Sequence, residues 1–574
     1  MQPLRLPLQL VNTGKATKSR NRLDMLGCML SDAVEGARPA APKVAVPLIS
    51  TRRAAAGDRE YPDKVDAKLL RVVFVCGLAA VMAVLDSNVV AVAQGTFVTQ
   101  FKTTQAVVSW TVAGYMLAFA TVIPITGWAA DRFGTKRLFI GSVLFFMVGS
   151  LLCAISPNIM LLIIFRVIQG IGGGMLMPLS FVILAHEAGP HRVGRLMAIG
   201  GIPILLGPIG GPVLGGWLVG SYGWEWIFLI NLPIGLISLI LAAVTFPKDR
   251  PAPAEALDIV SVLLLPPGVT LFLCGVSYIP AAGTISDYRV WAPTLTGLLL
   301  VSAFVFHSFR TEHPLIDLRL FQNRVVAQAN MALLVFGAPF VGLGLLVPSY
   351  FQLVMHKTPM QSGLLLVPVG LGAVITMPLA GIFMDKHGPG KIVMIGLPVM
   401  AAGLGIFTYG VATQAPFNPT LLIGLAVMGL GVGCTTTPLS AAVLQALAPH
   451  QVARGTTLVT VNQQVSGSIG AALLGVILTQ LFNHNETLVA ANRLVAAQQE
   501  ATGQRLPVEA SASAWKDLGP DFANSVSLGL SHAYTAVFVV AVALLVLTIV
   551  PAAFLPMKRP EPEVDPEPAA APAD

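Results

Sequence analysis

Fourteen stretches of this chain are each apolar for about the 20 residues that a helix needs to cross a bilayer, from 71–94 to 531–555. No other feature limits the fold as strongly. Open sheet edges are not tolerated in lipid, so each stretch is expected to be a helix. Charge is scarce enough to agree. Only 11% of residues are charged, against about 25% in a soluble domain. A soluble chain of 574 residues would need a larger charged skin. The expected fold class is an all-α polytopic membrane protein with fourteen transmembrane helices.

The net charge of +7 does not point to nucleic acid. Thirteen of the 35 Lys and Arg lie in the first 71 residues, and most others sit in short loops. With the N-terminus inside, thirteen basic residues fall in short inner loops and three, Lys102, Arg289 and Lys357, in short outer ones. The positive-inside rule then places both termini in the cytoplasm and the loop 483–530 outside. Residues 1–67 and 558–574 read as disordered cytoplasmic tails. Nothing before Met25 or Met29 reads as structured, so either fits as the start.

An internal repeat organises the spans. "GWAADRFGTKR" at 127–137 and "GIFMDKHGPGK" at 381–391 keep one frame, 254 residues apart. Pro124 and Pro378 keep it too. Each charged knot follows the second span of a six-span set. The expected division is a six-helix bundle over 68–246, a linker with two extra helices over 247–326, and a second six-helix bundle over 327–557. Two such bundles, related by an axis along the membrane normal, form a known transporter plan with substrate held between the halves.

Within the spans, Asp86 and Arg166 are the clear charges away from the ends. An intramembrane ionisable residue is a functional hypothesis by default. Asp86 lies about 22 Å along an outward-going helix and Arg166 about 10 Å along an inward-going one, so both fall in the outer half. Gln169 shares the Arg166 face at i+3. Either the pair exchanges a proton or it fixes helix packing. In the second half, Gln352, Asn462, Gln463 and Gln464 are polar in apolar surroundings. They line a cavity or bond across helices.

The motifs resemble a known family. "GWAADRFGTKR" resembles the loop between helices two and three of the major facilitator superfamily, and "RVIQGIGGG" at 166–174 its helix-four motif. "GPIGGPVLGG" at 207–216 resembles the helix-five motif associated with antiporters. "LDSNVVAVA" at 85–93, "WIFLINLPIG" at 226–235 and "PLIDLRLF" at 314–321 look like the fourteen-span drug:proton antiporter branch, the EmrB/QacA type. The likeness departs at Asn88, where Thr is usual, and at Glu225, where Arg is usual.

That resemblance implies proton-coupled efflux of hydrophobic or amphipathic compounds across the plasma membrane. It implies a proton or cation site at Asp86 with Arg166 as partner. It also implies a cytoplasmic gate built from Gly127, Asp131, Arg132, Gly134, Lys136, Arg137 and Asp385. The helix-five residues Gly207, Pro208, Gly211, Pro212, Gly215 and Gly216 combine small-xxx-small packing with a bend. Small hydrophobic substrates, protons and the bilayer are the expected partners, with an adaptor and outer-membrane channel in a Gram-negative cell. A dedicated metabolite exporter is the alternative within the class, and an uptake symporter a weaker one.

Other chemistries find no support. "HGPGK" lacks the first Gly and the Ser/Thr of a P-loop, so no nucleotide cofactor is expected and the proton gradient is the drive. The nine His and five Cys show no metal-ligand or disulfide spacing. No paired-carboxylate or Ser/His/Asp cluster marks an enzyme.

Overall fold

The computed structural model describes residues 66–188, 192–249, 257–282, 286–311, 314–448, 451–491 and 520–558. All of the expected tails except residues 66, 67 and 558, and most of the expected outer loop 483–530, lie outside these residues.

The first half contains α1 (Ala67–Gln100), α2 (Gln105–Phe133), α3 (Thr135–Ala154) and α4 (Ile159–Ala188). It continues with α5 (Val193–Ser221), the short α6 (Trp226–Leu229) and α7 (Asn231–Thr245). An inserted pair follows, α8 (Ile259–Ala282) and α9 (Tyr288–Ser308). The second half contains α10 (Arg324–Leu353), α11 (Pro359–Leu365), α12 (Val367–His387) and α13 (Pro389–Ala412). It ends with α14 (Leu422–Gln445), α15 (Val452–His484) and α16 (Pro520–Ala553).

Thirteen segments among the described residues are long and apolar enough to cross a membrane. The fifth expected span, 196–219, lies within α5, a helix of 29 residues. Polar side chains set where helices begin. Asp66 accepts the Leu69 N–H at 2.9 Å ahead of α1, and Thr358 forms a capping box ahead of α11. Each satisfies donors that a helix start leaves open.

The repeat in sequence is also a repeat in backbone. Gly134 separates α2 from α3 at φ +89°, and Gly388 separates α12 from α13 at φ +86°. Side chains rarely adopt that region, so glycine is the residue for both turns. Pro124 and Pro378 sit inside the helices that lead into them.

Gln445 at the end of α14 bonds Asp385 of the second knot, and Ala453 at the start of α15 meets Gly127 of the first, so both knots fall at one end, here called the knot end. There the halves press together. A Cβ on Gly127 would lie 2.8 Å from the Thr457 hydroxyl and 3.1 Å from the Ala453 carbonyl of α15. A Cβ on Gly381 would lie 2.6 Å from the Gly194 carbonyl and 2.9 Å from Arg195 Cα on α5. The first residue of each knot thus removes a side chain where helices of opposite halves cross. The structure is closed at the knot end.

The inserted helices pack on one another, and α8 also packs on α2 and α15. It therefore lies along one seam between the halves. The Thr121 and Thr270 hydroxyls meet at 2.7 Å on that contact. At its start, Asp258 accepts Ser261 N–H and hydroxyl donors and meets His307 Nε2 of α9 at 2.9 Å.

Candidate functional site

Asp86 and Arg166 form a direct ion pair inside the first half. The two were expected at similar depth, and the fold brings them into contact. Asp86 comes from α1, while Arg166 and Gln169 come from one face of α4. The approach of α3 makes room for them. A Cβ on Gly149 would sit 2.6 Å from Gln169 Cα.

Most polar atoms of the pair and its neighbours are hydrogen-bonded, and Arg166 Nη2 is the exception among those of the pair. Gln169 Nε2 donates to Asp86 Oδ1 at 2.8 Å, and Asn231 Nδ2 donates to the same oxygen at 2.8 Å. Arg166 Nη1 donates to Asp86 Oδ2 and, at 2.7 Å, to Gln169 Oε1. Arg166 Nε donates to the Thr111 carbonyl at 3.0 Å. The Ser150 hydroxyl accepts from Gln169 at 2.6 Å and from Asn231 at 3.1 Å. The Tyr115 ring lies 4.1 Å from the guanidinium carbon, and the Phe228 ring 5.8 Å. Asp86 is 1% exposed and Arg166 fully buried.

This arrangement has a chemical consequence. An ionised carboxylate only accepts hydrogen bonds, and here it faces three donor side chains. A proton on either oxygen would take up one acceptor lone pair, add an O–H donor and remove the charge that pairs with Arg166. The cluster would have to rearrange, and it ties together α1, α3, α4 and α7. Proton occupancy and helix packing are therefore linked through one buried network.

Asn231 and Ser150 were not singled out from sequence. Asn231 sits within the quoted "WIFLINLPIG", and a lone amide in an apolar run was the available signal. Ser150 gave none, because serines are common in such helices. The helix-five glycines support this site from behind. Cβ atoms on Gly207, Gly211 and Gly215 would meet Val84, Asn88 and Val89 of α1. Gly216 faces elsewhere, with Met360 of α11 at 4.0 Å from its Cβ position. Gln352 and Gln463 are not part of the cluster. Gln463 donates to the Ser440 hydroxyl of α14 at 3.0 Å, and Gln352 is half-buried on α10.

The residues expected to form a gate divide into two sets. In the first knot, the Lys136 and Arg137 backbone N–H groups donate to the Asp249 carboxylate at 2.8 and 3.0 Å. Lys136 Nζ donates to the Ala243 and Phe246 carbonyls at the end of α7. Sequence reading missed Asp249, which lies 112 residues from Arg137. Arg132 is exposed and Asp131 half-buried. In the second knot, Asp385 accepts the Gly194 and Arg195 backbone N–H groups at 2.9 and 3.0 Å. Gln445 Nε2 adds a bond at 3.2 Å. This acid joins the two halves, and Asp249 joins two helices of one half.

Residues 76–480 match the family model described as Major Facilitator Superfamily. The chain belongs to the major facilitator superfamily. It is 57% identical over 532 residues to "Multidrug resistance protein B homolog" of Mycobacterium tuberculosis (strain ATCC 25618 / H37Rv), which covers 92% of this chain and 98% of that protein. It is 30% identical to "Multidrug export protein EmrB" of Haemophilus influenzae, over 72% of this chain and 81% of that one. Among solved structures, the human organic anion transporter MFSD10 (TETRAN) superposes with a TM-score of 0.53 at 15% identity, covering 83% of this chain and 99% of that chain. The last likeness concerns the fold alone.

Proposed function

We propose that this chain is a multidrug efflux transporter that exchanges protons for hydrophobic or amphipathic compounds by alternating access. The printed names of its relatives support export, and the buried Asp86 network supports proton coupling. The single observation that carries the coupling is a carboxylate with three donor side chains inside a membrane-spanning half. Protonating it would remove the charge that pairs with Arg166 and make the side chains bonded to it rearrange.

In this reading the membrane is the plasma membrane and the knot end faces the cytoplasm. Thirteen against three basic residues in the short loops support that orientation. The structure then corresponds to a state closed on the cytoplasmic side. Substrate leaves between the halves, residues 68–246 and 327–557. Opening the knot end requires Gly127 to part from α15 and Gly381 from α5. Asp385 has to release Gly194 and Arg195 in the same step. The proton gradient is the drive, and no cofactor takes part.

The test is substrate-driven proton release in reconstituted vesicles, with Asp86→Asn as the comparison. The native chain should exchange and the variant should not. Normal exchange by Asp86→Asn would move the proton site elsewhere.

A further inference from the structure

An aromatic column leads from the Asp86 network toward the end of the first half opposite the knots. The Phe228 ring lies against Arg166. Phe97 stacks on Phe228 with centroids 6.5 Å apart. Trp224 meets Phe97 edge-on at 5.6 Å, and Phe101 meets Trp224 at 5.4 Å. On α1, Phe97 lies eleven residues beyond Asp86, about 16 Å of helix rise. These rings belong to an apolar cluster distinct from the main core, together with Val90, Leu162 and Leu218.

The column is sealed but not purely apolar. Phe97 and Phe228 are fully buried, and Trp224 is 6% exposed at the rim. Two buried donors along it have no acceptor among the described residues: Trp224 Nε1 at the rim and Arg166 Nη2 at the base. Unsatisfied buried donors are costly, so groups of this kind favour any state that admits an acceptor such as water. The titratable groups that face the pair are Tyr115 and Cys153, both buried. The side chains bonded to Asp86 come only from α4 and α7, within the same half.

We infer that protons reach Asp86 through the first half itself, along the Trp224–Phe97–Phe228 column, and not through the space between the halves that substrate uses. The inference rests on the proposed antiport. Transient parting of Phe97 from Phe228 admits water to Arg166 Nη2. A hydronium ion then gives its proton to Asp86, and Arg166 is released from the carboxylate. The rings act as a valve that keeps water and protons from Asp86 except while Phe97 and Phe228 are parted.

Proton leak into vesicles under an imposed pH gradient, without substrate, tests this directly. Phe97→Ala should raise the leak several-fold, and Phe97→Leu, which keeps apolar bulk, should restore the native rate. Adding Asp86→Asn to Phe97→Ala should abolish the added leak. Substrate affinity should stay at the native value. A native leak in Phe97→Ala would overturn the inference, as would a leak that survives Asp86→Asn. Substrate affinity lost in step with the leak would also overturn it, by placing the rings in the substrate route. Should Phe97→Ala fail to insert, Trp224→Ala at the rim is read in the same way. Absence of substrate-driven exchange in the native chain would sink the antiport reading alone, because the leak needs no substrate.

Discussion

Asp385 caps the Gly194 end of α5 from the opposite half of the chain, with its two oxygens on two successive N–H groups. A Cβ on Gly194 would lie 2.6 Å from Asp385 Oδ1, so the fit depends on that glycine. A carboxylate at a helix start is favoured by charge-assisted hydrogen bonds and by the helix dipole. Both gains exist only while the knot end is closed.

Asp385→Asn should therefore weaken the closed state without unfolding either half. The loss is about 1–2 kcal/mol, a roughly five- to thirtyfold shift in the ratio of closed to open. Spin labels at positions 137 and 391, both exposed, would report the distance across the knot end. A longer-distance population should grow in the variant. An unchanged distribution would make Asp385 an anchor only.

The Asp86 network predicts a stability cost as well as a loss of exchange. Breaking a buried pair by removing one partner costs about 3–5 kcal/mol, because the other charge is left without compensation. Asp86→Asn should thus lower the thermal stability of purified protein. Asp86→Asn combined with Arg166→Gln should recover much of that loss while remaining unable to exchange. Equal stability of the single and double variants would mean that Arg166 is compensated by Gln169, Thr111 and Tyr115 alone.

How much of this was legible beforehand follows from physical range. The spans were legible because each is one local apolar run, and the knots because the same pattern of Gly, Asp and basic residues recurs in one frame. Helix rise put Asp86 and Arg166 at similar depth, and their direct contact is a property of the fold. What stayed hidden are partners distant in sequence and ordinary in type. Asp249 looks like any loop acid until α7 brings it to the start of α3. Gly194 gives no sign that it meets Asp385, 191 residues away. The place of α8 along the α2–α15 seam was equally silent, since an apolar helix fits many neighbours.

Gly134 and Asp249 should be energetically coupled. A Cβ on Gly134 would sit 2.6 Å from Asp249 Oδ1, and the backbone there is at φ +89°. Gly134→Ala should cost about 1–3 kcal/mol from strain alone, with the collision added. Asp249→Ala should cost about 1 kcal/mol as a lost helix cap. The double variant should be less damaged than the sum, since the contact with the carboxylate goes while only that with the Cβ of residue 249, at 2.5 Å, stays. Strict additivity in thermal unfolding would rule out the contact.

The clip between the inserted helices should depend on pH in one direction. Burial alone would raise the Asp258 carboxyl, but hydrogen bonds from Ser261 and His307 outweigh it and hold the group below its usual value of 3.8. A depressed carboxyl stabilises the fold above its unfolded value, and the gain fades as pH falls through the folded one. Asp258→Asn should therefore melt earlier than the native chain at neutral pH, by about 1 kcal/mol. The two should converge in acid below the usual carboxylate range. A gap that widens in acid would reverse the sign and reject the clip.

Substrate charge is the remaining test. The first-half site is neutral overall, because Arg166 already balances Asp86. In the second half, α10 and α12 to α15 contain one acid, Asp385, and it is committed to Gly194 and Arg195 at the knot end. A cation bound between the halves could recruit Asp86 only by displacing Arg166 or taking the place of its proton. That exchange can offset one positive charge. A second, unpaired charge in low dielectric would cost several kcal/mol. Export should therefore favour neutral, zwitterionic or monovalent compounds over divalent cations. Whole-cell or vesicle efflux of a matched monovalent and divalent dye pair measures this. Faster export of the divalent dye would show that uncharged groups hold the second charge, with the stacked rings of Phe336 and Phe340 as the first place to look.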